Sequence, residues 1–217
     1  KELELKSAVD FIIECIENHR DEKITICALG PLTNIAKVLT KNPRITEFVE
    51  EIVLMGGGFF EGGNITPAAE FNIYVDPEAA KIVLESGIKI TMLPLDVTHK
   101  TLVQRDFLEK LRGSGKNSAI QAAKLLDFFE RYDVEKYGSQ GGPLHDPNVI
   151  VYLLNPEIYK GKLVNVEIEV NSELTRGMTV VDWWNVTERQ PNAYYINDVK
   201  ENKFFEIVLD KVLNLEI

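Results

Sequence analysis

The sequence is poor in three things: cysteine, positive charge and long apolar runs. Its two cysteines, Cys15 in a helical pattern and Cys27 in an apolar strand pattern, read as buried thiols and not as a bridge, which fits a reducing, cytoplasmic setting. Lysine and arginine total 24 against 34 aspartate and glutamate, a formal charge of −10 with no basic block. That balance argues against nucleic acid as a partner, since a phosphate backbone is held by clustered cations. No apolar run reaches the ~18 residues of a membrane span and no signal-peptide pattern opens the chain, so a membrane partner is not expected either.

What is there is 217 residues with 45% hydrophobic content, enough for one sizeable core and a single α/β domain over residues 1–217. Helical and strand-like segments alternate. Leu5, Ala8, Val9, Ile12, Ile13 and Ile16 fall on one face of a first helix; residues 23–29 form an apolar, β-branched run, followed by a helix over 32–40. A strand over 51–55 ends in glycines, Asp76-Pro77 starts a helix that Gly87 ends, and 88–95 is a further strand. Helices are predicted over 104–112, 116–132, after Asp146 and over 203–213, with a strand pair at 160–170 and 175–183. Apolar strands alternating with helices predict a mostly parallel open sheet flanked by helices.

In such sheets ligands gather at the carboxyl ends of the strands. The richest loop there, Met55 to Asp76, holds five glycines with Asn64, Glu70 and Asn72. A carboxylate and two carboxamides can bind vicinal hydroxyls, as on a sugar; equally, Asn64 can serve as a turn residue and Asn72 as a cap. No strand–GxGxxG–helix layout is present, so a dinucleotide reading is weak. His145 beside Asp146 is the best candidate for chemistry, a proton donor next to a carboxylate that can hold a cation; the plainer alternative makes Asp146 the cap of the helix at Pro147. His99 suits a structural hydrogen bond and His19 a helix end.

Five blocks then carry a resemblance: Gly30-Pro-Leu-Thr-Asn-Ile-Ala36, Met55-Gly-Gly-Gly58, Ala69-Glu-Phe-Asn72 with Asp76-Pro-Glu-Ala-Ala80, Leu95-Asp-Val-Thr-His99 and His145-Asp-Pro147. In order and spacing the chain resembles the inosine-uridine preferring nucleoside hydrolases. The resemblance implies a calcium-dependent N-glycosidase acting on small-molecule ribonucleosides, assembled as a homo-oligomer, dimer or tetramer. It implies Asn64, Glu70 and Asn72 on the ribose and Met55 lining the sugar pocket. Asp146 and the backbone carbonyl of Leu29 would be calcium ligands, and His145 the general acid toward the base. The family usually has Thr where Leu29 stands, a change that a carbonyl contact survives. His in place of a Trp-Asp pair favours the broader inosine-uridine type. Phe128, Phe129 and Tyr132 are candidates for base stacking, with at least two of the three expected in the core.

One departure is large. The family's DxDxGxDD cluster is not found; Asp21-Glu22 and Glu50-Glu51 have neither its spacing nor its glycine. Calcium takes six to eight oxygens, so this chain by itself is expected to bind it poorly and to be inactive. The expectation is the larger C-terminal part of a nucleoside hydrolase, with the first strand missing. Two other classes stay open: a non-catalytic nucleoside or ribose binder, and a nucleoside phosphorylase, for which Arg105, Arg176 and Arg189 are too scattered to suggest a phosphate site.

Overall fold

A computed structural model describes residues 5–137 and 141–215, with the backbone alone over 129–137. In chain order the elements are α1 (Ala8–Asn18), β1 (Ile24–Ala28), α2 (Thr33–Lys41), β2 (Val49–Met55), α3 (Phe71–Val75), α4 (Pro77–Leu84), β3 (Ile90–Leu93) and α5 (Leu95–Thr98). There follow α6 (Arg105–Gly113), α7 (Asn117–Tyr137), α8 (Pro147–Leu154), β4 (Tyr159–Val164), β5 (Val166–Ile168), β6 (Thr179–Val181), β7 (Ala193–Val199) and α9 (Glu201–Leu213). The chain divides into two compact units, one of residues 1–95 and 161–196, the other of 96–160 and 197–217.

The first unit holds the sheet, in the order β1-β2-β3-β7-β4, with β1, β2, β3 and β7 paired parallel. Its core joins Ile52, Leu54, Ile90 and Met92 of the strands to Ile35 and Leu39 of α2 and Ala80 and Val83 of α4. Burial on this scale is what holds a parallel sheet against helices, at roughly 25 cal/mol per Å² of apolar surface. Asp76 caps α4 as predicted, its carboxylate accepting from the Ala79 N–H at 3.1 Å with Pro77 in the first turn. Gly87 lies beyond that helix at φ +77°.

Several expectations change. Ser7 caps α1 by accepting from the Asp10 N–H, so the helix begins at Ala8, and Leu5 lies outside it, fully exposed. The strand pair shrinks to an antiparallel β5–β6 pairing, because residues 159–164 join the large sheet as β4. Neither β7 nor α3 is anticipated by the sequence pattern, and the expected strand end at Leu95 is the helical turn α5. Both cysteines are free, but only Cys15 is partly buried. Cys27 is exposed, lying on β1, which has a neighbour on one side only in the described sheet.

The second unit is helical. Phe107 of α6 packs against Phe205 of α9 with the rings tilted and their centroids 4.9 Å apart, and Phe204 is completely buried. Phe128 of α7 is 54% exposed, which removes it from the expected core; the side chains of Phe129 and Tyr132 lie outside the described residues. Among the described residues no helix is long and apolar enough to cross a membrane.

Candidate functional site

The glycine-rich loop of the first unit is built around one carboxylate. Glu70 is 3% exposed and accepts from three backbone N–H groups: Gly57 at 3.0 Å, Asn72 at 2.9 Å and Ile73 at 3.3 Å. Two of these are otherwise orphaned donors at the start of α3, so Glu70 is its N-cap. The third ties the glycine run to the helix. Asn72 donates from Nδ2 to the Met55 carbonyl at 3.0 Å and touches Met55 Sδ at 3.5 Å, while Asn64 Oδ1 accepts the Phe71 N–H at 2.9 Å.

The structure therefore brings Met55, Asn64, Glu70 and Asn72 together, and gives each polar side chain a hydrogen bond within its own loop. Among the described residues, Asn72 Oδ1 has no such partner. The glycines serve this closeness. Gly57 sits at φ +82°, and a Cβ there would stand 2.7 Å from Thr179 Oγ1; at Gly63 it would overlap the carbonyls of Thr66 and Ala69. Leu29, also in this unit, follows β1 directly and is 43% exposed.

His145 and Asp146 belong to the second unit. His145 Nδ1 lies 2.8 Å from Thr98 Oγ1, and the His99 ring is tilted 55° to it with centroids 5.7 Å apart. Burial, helped by the nearby His99 charge, lowers the His145 pKa from 6.5 to about 4. The ring is thus neutral near pH 7, and what it offers is a neutral N–H, not a ready imidazolium. Asp146 occupies the N-cap position of α8 yet makes no side-chain capping bond, which sets aside the plainer reading of this residue. Its carboxyl is pushed up by loss of hydration.

The work of holding this loop falls to residues that sequence reasoning passed over. Asn148 is wholly buried; its Nδ2 donates to Thr101 Oγ1 at 2.9 Å and Leu144 O at 2.5 Å, and its Oδ1 accepts from Tyr159 OH at 3.0 Å. A carboxamide in the first turn of an otherwise apolar helix is the signal that could have found it. Thr98 lies within Leu95–His99, where its residue type alone signals no role.

The family model for inosine-uridine preferring nucleoside hydrolases matches residues 1–206. The chain belongs to that family. It is 47% identical over 205 residues to an uncharacterized protein of Schizosaccharomyces pombe, covering 94% of this chain and 66% of that one. It is 40% identical over 212 residues to the pyrimidine-specific ribonucleoside hydrolase RihA of Enterobacter sp. (strain 638), covering 97% and 67%. A purine-preferring ribonucleoside hydrolase from Gardnerella vaginalis superimposes with a TM-score of 0.88 at 30% identity, over 98% of this chain and 67% of that one. The chain thus spans about two thirds of the length of each of these relatives.

Calcium, which the family resemblance implies, needs six to eight oxygens. Among the described residues no group of three or more His, Cys, Asp and Glu side chains is placed to hold a metal. The donors among the described residues do not make up such a site by themselves.

Proposed function

We propose that the protein, at the full length of its relatives, hydrolyses the N-glycosidic bond of ribonucleosides to free base and ribose. One observation carries the reading: residues 1–206 match a single family, and RihA and the Gardnerella vaginalis protein are ribonucleoside hydrolases. Breaking this bond builds positive charge on the sugar and negative charge on the base, so a donor is needed at the base and polar groups at the sugar. In this proposal His145 Nε2 faces the departing base, and Met55, Asn64, Glu70 and Asn72 form the ribose side. Asp146 and the Leu29 carbonyl contribute to a calcium site, and the enzyme is a homo-oligomer. This chain alone is proposed to be inactive. RihA makes pyrimidine ribonucleosides the first substrates to try. The phosphorylase alternative loses ground, since Arg176 is held by both oxygens of Glu78 at 2.6 and 2.7 Å and Arg105 pairs with Glu109.

The test is base release from uridine, cytidine and inosine by the full-length protein, with and without chelator. His145→Ala is expected to cost ~10²–10⁴ in kcat, the range of a positioned proton donor. Indifference to chelator, or full activity in that variant on every substrate, would count against the roles given. Ribose binding without turnover and without calcium dependence would identify the non-catalytic binder instead.

A further inference from the structure

The contact between His145 Nδ1 and Thr98 Oγ1, 2.8 Å long, can run in either direction, because both atoms can donate or accept. The surroundings decide it. Thr98 is 0% exposed, so its hydroxyl is out of reach of bulk solvent. Among the described residues that hydroxyl has no other hydrogen-bond partner, since the nearby Thr101 N–H and Oγ1 go to the Thr98 carbonyl, at 3.1 and 2.9 Å. Were Nδ1 protonated, it would donate to Oγ1 and leave the buried hydroxyl hydrogen with no acceptor among the described residues. Moving the ring proton to Nε2 lets the hydroxyl donate to Nδ1 and removes that penalty.

We infer that the Thr98 hydroxyl donates to Nδ1 and so fixes His145 as its Nε2–H tautomer, making Thr98 a positioning residue for the donor offered to the substrate. The second half of this statement rests on the reading of His145 as the group facing the departing base; the first half does not. Further bonds hold the frame that presents Thr98: Asn148 Nδ2 donates to Thr101 Oγ1 and to the carbonyl of Leu144, the residue before His145, and the one Thr101 hydroxyl proton is shared between the carbonyls of Thr98 and Leu144.

The test is heteronuclear NMR of the imidazole nitrogens of the full-length protein near pH 7.5, with His145 assigned by difference against His145→Gln. A single Nε2–H tautomer with an unprotonated, hydrogen-bonded Nδ1 is expected. Thr98→Val should admit the Nδ1–H form, and Thr98→Ser should restore the original signals. An Nδ1–H ring in the unmodified protein, or a Thr98→Val spectrum with the tautomer unchanged, overturns the inference; if the valine variant does not fold, the unmodified and serine proteins still decide it. In turnover, Thr98→Val should lower kcat on the order of tenfold with KM little changed, with recovery in Thr98→Ser. Should the tautomer be as stated while His145→Ala keeps full activity, the active-site reading fails and the role of Thr98 in fixing the ring stands.

Discussion

The loops at 55–76 and 141–148 treat their polar side chains in opposite ways. In the first, the residues that look functional also build the loop: Glu70 caps α3 and fastens Gly57, Asn72 holds the Met55 carbonyl, and Asn64 takes the Phe71 N–H. In the second, Asn148, Thr101 and Tyr159 do the building, and Asp146 makes no cap. A ligand meeting the first loop therefore finds polar groups already oriented by use. A ligand meeting the second finds groups kept in place by others. Removing a residue from the first loop should damage structure and binding together, whereas the second loop should allow the two to be separated.

The largest effect that would sharpen this contrast is Glu70→Ala. It strands three backbone donors next to a buried space, so unfolding free energy measured in urea should fall by about 2–4 kcal/mol. No change in urea midpoint would mean the loop stands without its carboxylate, and the contrast would break.

A smaller effect concerns acid. The folded-state pKa of His145 is depressed from 6.5 to about 4, so between those values the unfolded chain binds the extra proton. Stability from this group is complete above pH 6.5 and is lost as the pH falls toward 4, by something of the order of 1–3 kcal/mol. His145→Gln should flatten the pH dependence of the urea midpoint across that window; an unchanged slope would place the acid sensitivity elsewhere.

The smallest is Asp146→Asn. With no capping bond to lose, stability should move by no more than about 0.5 kcal/mol, while turnover by the full-length protein should collapse if the carboxylate serves calcium. A loss of stability near 1 kcal/mol or more would reveal a capping role and return Asp146 to the same class as Glu70.

Much of the fold was legible because its signals are local. The Asp76-Pro77 start of α4, the apolar runs of β1, β2 and β3 and the period of α9 each depend on neighbours in sequence. Strand β7 was not legible: Ala-Tyr-Tyr-Ile-Asn-Asp-Val mixes polar and apolar residues, and its place beside β3 is set by pairing with residues far earlier in the chain. Helix α3 was missed because five residues give too short a period to detect, and because a glutamate is not the usual cap. At the candidate site, residue types and order singled out the blocks to inspect. What they could not carry was direction, such as Asn72 turning its amide onto Met55 or Thr98 meeting the ring of a residue 47 positions away.

The pairing of Thr91 and Met92 with Tyr194 and Tyr195 bears on how the chain is made. On the ribosome, β3 is complete while its neighbour is still about one hundred residues from being synthesised, roughly 5–20 seconds at the usual pace. For that interval an apolar strand, Ile90–Leu93, has one open side, which is the condition under which nascent chains join each other instead of themselves. Yield in cells should accordingly depend on translation speed and chaperone supply more than on the stability of the finished protein.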